Sequence, residues 1–148
     1  MSRPARNRRS DELLRRWGKI LRIRASINVR ADRPRSLPPA RGAMITMHIE
    51  GELTEPVVGI SQFSIMAYVD SNPVAGQAEV PSIGVFTAIK PVLQGAIDLS
   101  PSEFQSLLTM ASAGMLRSCY FAFTKPRYGS ALIVNADFSS RATDELDE

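Results

Sequence analysis

A single cysteine among 148 residues leaves no internal disulfide to draw, and a single histidine removes much of the usual side-chain chemistry. With one of each, no zinc site of the common Cys/His kinds can be assembled within one chain. No apolar run approaches the ~18 residues of a membrane-spanning helix. The phosphate loop G-x-x-x-x-G-K-[ST], the dinucleotide fingerprint G-x-G-x-x-G and the nucleophile elbow G-x-S-x-G are all missing. Nor does the N-terminus carry the uninterrupted apolar stretch of a secretory leader, so the expected location is cytoplasmic. Aromatic residues make up only 7% of the chain, which points to a core of Ile, Val, Leu and Met. No cofactor is expected.

What is present is a globular balance, 44% hydrophobic and 22% charged, at a length suited to one ordinary domain. The net charge of +3 is an average over two unlike parts. Residues 1–42 hold thirteen cations against three carboxylates; residues 43–148 hold five against twelve, completing the chain's 18 and 15.

The basic front reads as follows. Residues 1–9 have nothing to bury and are expected to be disordered. Ser10 suits a helix cap, with Asp11 and Glu12 at the positive end of the dipole. Leu13, Leu14, Trp17, Ile20 and Leu21 then form one apolar stripe at helical spacing, which predicts an amphipathic helix over 11–24. From Ile23 to Val29 the pattern alternates, so a short strand competes with it. Residues 31–42 read as a Pro/Arg-rich linker. Three readings stay open for this front. Arg15, Arg16, Lys19 and Arg22 contact nucleic acid or another polyanion; the helix docks its apolar stripe on the domain behind it; or synthesis starts near Met44 and residues 1–43 are not translated.

From residue 43 the texture is that of an antiparallel β domain reaching to about 140. Ile45, Met47, Ile49, Gly51 and Leu53 alternate with Thr46, His48, Glu50, Glu52 and Thr54, a half-buried strand. Further strands are predicted over 57–69, 82–89, 92–99, 117–124 and 130–138, with a loop over 70–81. The strongest local signal is Ser100–Pro101–Ser102–Glu103, a capping box with proline at the first helical position, and it predicts a helix at about 101–114. The order β-β-β-β-α-β-β gives a mostly β (α+β) class, a small antiparallel sheet or sandwich domain with one packed helix. Residues 141–148 read as an acidic disordered tail.

The chemistry on offer is thin. His48, Glu50 and Glu52 share one strand face, where a solvated row explains them without a metal or acid–base role. Cys119 alternates with core positions and reads as a small buried hydrophobe. Ser82 and Ser130 have no histidine to activate them, and nothing in the pattern gathers Asp70, Glu79, Asp98 and Asp137. The most pointed surface feature is the turn Lys125–Pro126–Arg127–Tyr128–Gly129. Lys125, Arg127 and Tyr128, together with Arg117, are candidate contacts for an anion or a partner. The expectation is a non-catalytic binding or assembly module that meets another protein or itself. The alternative is a nucleic-acid-associated protein using the basic front, and the third reading is a carboxylate hydrolase.

Overall fold

The computed structural model describes residues 12–31, 41–69 and 82–143, with side chains in the second segment from Met44 onward. Expectations for residues 1–11, the linker tip 32–40, the loop 70–81 and the tail beyond 143 therefore lie outside the described residues. Within them are seven strands and one helix: β1 (Leu13–Ala31), β2 (Arg41–Val57), β3 (Ile60–Val69), β4 (Gly84–Ala88), β5 (Leu93–Leu99), α1 (Pro101–Ser112), β6 (Ser118–Thr124) and β7 (Ala131–Ser139). The mostly β class is observed. The sheet, however, closes into a barrel in the order β1-β2-β3-β5-β4-β7-β6, so it is neither a sandwich nor an open sheet. Nor is it wholly antiparallel, because β3 and β5 run parallel, Phe63 facing Leu93 and Val69 facing Leu99.

The largest departure from expectation is β1, a strand where a helix over 11–24 was predicted. It pairs with β6 on one side, Leu14 opposite Phe123 and Gly18 opposite Cys119, and with β2 on the other. Leu14, Arg16, Gly18 and Ile20 therefore face inward. A bulge between Ile20 and Arg22 then shifts the phase, and Ile23, Ala25, Ile27 and Val29 take over the inner face. One inserted residue, Leu21, turns two stretches of period-2 alternation into something that reads like period 3.6. A chain starting at Met44 would lack this strand, leaving β2 and β6 as open edges.

Two glycines let β1 and β2 cross the core closely. A Cβ on Gly51 would stand 2.0 Å from the Lys19 carbonyl oxygen and 2.6 Å from the Phe63 ring; one on Gly18 would stand 2.7 Å from the same ring. The space they leave is filled by Phe63, which meets Phe121 edge-on at 5.7 Å. Phe121 in turn meets Phe86 at 5.8 Å and Phe138 at 6.2 Å, and Phe86 meets Phe123 at 5.0 Å. Five of the six phenylalanines thus form one edge-to-face cluster, so the core is organised by aromatics despite their small number. Met47, Ile49, Ile65, Leu93, Ile97 and Ile133 surround the cluster, all fully buried.

The lower end of the barrel is covered by α1, which joins β5 to β6 and buries Phe104 and Leu107. Its capping box forms as predicted: the Glu103 amide donates to Ser100 Oγ, and the Ser100 amide donates to Glu103 Oε1. The helix ends at Ala113–Gly114.

Two outcomes test this account. Gly51→Val has to displace backbone as well as Phe63, and urea unfolding should show a loss of about 3 kcal/mol or more. A chain starting at Met44 should give no cooperative transition. At the helix, Ser100→Ala should cost about 1 kcal/mol. The hydrogen bonds from Ser100 lower the Glu103 pKa below 4.5. A lowered carboxylate pKa gives stability that is full above 4.5 and lost as pH falls through the folded value. The stability gap between wild type and Glu103→Ala should therefore narrow between neutral pH and pH 3.

Candidate binding surfaces

The phenylalanine cluster and its aliphatic neighbours occupy the barrel interior, and the grooves found among the described residues lie on the outside. Reactive groups are few there. Burial, with the Asp137 charge adding to it, pushes the Cys119 thiol far up from its ordinary value, which keeps it protonated and inert. His48 sits on the outer face of β2 between Arg24 and Met66 in register. Glu50, two residues on, accepts a 2.6 Å hydrogen bond from Arg24. Among the described residues no three His, Cys, Asp or Glu side chains gather where a metal could be held. Asp98 lies on β5 and Asp137 on β7, with β4 between them in the barrel, so they do not form a carboxylate pair. Ser130 stands in the β6–β7 turn, its hydroxyl donating to the Arg127 carbonyl.

The two groups of cations singled out in the sequence are not brought into contact. Leu13 pairs with Thr124, so the start of β1 lies beside the 125–129 turn at the upper end of the barrel. Arg15 is opposite Ala122, three residues down the ladder from the exposed Lys125 and five from Arg127, so the three share an end of the barrel without being neighbours. None of the three forms an ion pair with a described residue. Tyr128 and Gly129 take positive φ at the tip, and the Tyr128 side chain stands fully in solvent instead of packing on the strand. Arg117 does not join them. It precedes β6 at the lower end, a strand length of roughly 20 Å away. Arg16 points inward beside Phe121, its Nη1 donating to the Arg15 carbonyl while its buried Nε has no partner. Lys19 and Arg22 lie opposite Glu52 and Glu50 across the β1–β2 ladder, where opposite charges stabilise the pairing. Much of the basic front is therefore balanced by the acidic strand beside it. Trp17, on the outer face between Arg15 and Lys19, packs against Tyr120 with ring centroids 4.5 Å apart.

One feature was not foreseen. The β1–β2 ladder runs past the end of β3, whose last pairs with β2 reach Thr46. From Ile27–Ala31 opposite Arg41–Ile45 it continues, among the described residues, as two strands without a third, an arm of roughly 17 Å. Its inner face continues the core row: Ile23 and Ile45 still touch the core, but Ile27 and Val29 are 64% and 47% exposed. The other face carries Arg22, Arg24, Ser26, Asn28 and Arg30, and β1 contains no carboxylate at all. Beyond Ile20, whose amide donates to the Arg117 carbonyl, no described strand pairs with the outer edge of β1. The signal was present in the sequence as two alternating apolar runs, 23–29 and 45–53, but it needed the pairing register to be legible.

Two grooves mark the outside. One, about 610 Å³, crosses β1, β2, β3 and β5 beside the bulge and is polar, with Arg22, Glu50, Gln62, Ser64 and Gln94. The other, about 460 Å³, lies between α1 and strands β5 and β7, with an apolar floor and two carboxylates at its rim, Asp98 and Glu103. No family model, curated protein or solved structure matches the chain.

The inertness of Cys119 is directly measurable. A thiol reagent at pH 8 should leave the native protein unlabelled and modify it fully once denaturant is added. Rapid labelling of the native form would contradict the burial assigned to it.

Proposed function

We propose that this protein is a non-catalytic binding module that assembles with another protein chain through the β1–β2 arm. One observation carries the reading. Ile27 and Val29, two of the seven exposed large apolar side chains among the described residues, stand in one row on the inner face of this arm. A two-stranded ribbon is marginal in water by itself, and an apolar face on it gains stability only when something covers it. Covering side chains such as Ile27 and Val29 is worth about 1.5–3 kcal/mol each before the cost of association is subtracted. Three arginines on the opposite face and edge discourage indiscriminate strand addition, as charged edges do in other sheets. The sparse outer chemistry agrees with binding more than with turnover.

The test uses the full chain. Ile27→Asp/Val29→Asp changes exposed positions and should leave the thermal transition nearly unaltered. In extracts of the source cells it should shift the protein from a larger complex to a smaller one on size exclusion. An unchanged elution position would remove the arm as the binding element.

A second reading rests on the upper end, where Lys125 and Arg127 stand on the turn and Arg15 lies further down β1, none with an ion pair to a described residue. Such a spread of cations suits successive phosphates of a single-stranded nucleic acid, with Trp17 and Tyr120 as stacking surfaces. Lys125→Glu/Arg127→Glu should then weaken binding of an oligonucleotide and flatten its dependence on log salt by about 1.4 for two lost contacts. Charge reversal is the right probe here, because deleting the front of the chain also deletes a barrel strand. No binding by the wild type at low ionic strength removes this reading.

A further inference from the structure

The arm's apolar, arginine-bearing surface has a counterpart elsewhere on the same molecule. The groove along α1 offers Ile83, Leu107, Met110 and Phe138 as apolar surface and Asp98 and Glu103 as its acidic rim. The capping hydrogen bonds that lower the Glu103 pKa keep that carboxylate charged at neutral pH. We propose that the arm of one copy seats in the α1 groove of a second copy, so that copies join head to tail. This rests on the reading of the arm as the binding element and names its partner.

Three observations favour this occupant. The charges are complementary, Arg30 on the arm, with no carboxylate opposite it on β2, against Asp98 and Glu103 at the groove. The groove cannot be served by its own chain's arm as observed, since none of its lining residues comes from β1 or β2. Pairing two arms edge to edge is opposed by charge. An antiparallel β1–β1 register centred on Ile27 sets Arg24 against Arg30, and one centred on Ser26 sets Arg22 against Arg30. A contact between two different surfaces is heterologous, so it closes into a ring, of which the reciprocal two-membered exchange is the smallest, or propagates as an open chain.

Sedimentation velocity on the purified full-length protein, over a range of concentrations and salt, tests the proposal. Wild type should grow in size with concentration, and added salt should weaken the growth. Each buried apolar side chain lost is worth about tenfold in association, so Ile27→Asp/Val29→Asp should weaken it about a hundredfold. Met110→Arg should do the same from the groove side. Ser106→Arg, at an exposed groove position, is a second groove variant that does not touch the packed interior. The deciding arm is the mixture. Arm variant and groove variant, each monomeric alone, should together form a one-to-one pair and nothing larger, because only one competent arm and one competent groove remain. Wild type that stays monomeric at every concentration overturns the proposal. So do groove variants that assemble like wild type, which would mean that arms meet arms, and so does a mixture that forms no pair. If the purified protein is monomeric while the arm variant still shrinks the complex in cell extracts, self-assembly is overturned and the arm keeps a different partner.

Discussion

The barrel depends on how closely β1 and β2 can cross over the Phe63 ring. That ring fills the space in front of Gly18 and Gly51, and any side chain at Gly51 would collide with the backbone of the neighbouring strand. The close approach lets the first strand reach β6 and close the sheet, which leaves only the projecting arm as an open edge among the paired strands. It also sets the core: Phe63 reaches Phe121, and Phe121 links the phenylalanines of β4 and β7 into one cluster. A polypeptide of this size can sustain one such core, and the phenylalanines occupy it.

Charge follows from the same pairing. Read along the chain, a basic front and an acidic body look like separate polymers. Folded, the most basic strand lies beside a strand carrying Glu50 and Glu52, and Lys19, Arg22 and Arg24 meet carboxylates across the ladder. Within β1 the cations with neither a carboxylate opposite nor an ion pair to a described residue are Arg15 and Arg16 towards the upper end and Arg30 at the arm. The described part of the basic front is thus a structural strand, while six further arginines of residues 1–42 lie outside the described residues.

Legibility in the sequence tracked how local the determining physics is. The helix at Pro101–Ser112 was fully readable, since a capping box involves four consecutive residues and needs no partner strand. Strands β2, β3, β6 and β7 were readable because one buried face enforces alternation. The first strand was not, because a single bulge residue changed the apparent period and the arginines hid the apolar row behind them. Barrel closure and the parallel β3–β5 pair were not readable either. Both depend on which strand lies beside which, and β4 is interposed in sequence without separating β3 from β5 in space. Of the candidate contacts, Lys125 and Arg127 stand on the turn after β6, whereas Arg117 lies at the other end of that strand, a separation that the sequence order alone did not make visible.

The arm is where these constraints leave something over. Barrel closure requires only the part of β1 that faces β6, Leu13 to Lys19, yet the strand continues to Ala31 and β2 starts correspondingly early. A hairpin that served only as a connection would be short and polar at its end. This one keeps the alternation of the core, with Ile27 and Val29 in the row of Ile23 and Ala25, past the point where any core remains to receive it. Ordering the arm's five further residue pairs costs conformational entropy that their own ladder barely offsets. An apolar row maintained under that cost is explained by a surface that covers it, and the groove along α1 offers apolar side chains beside the carboxylates Asp98 and Glu103.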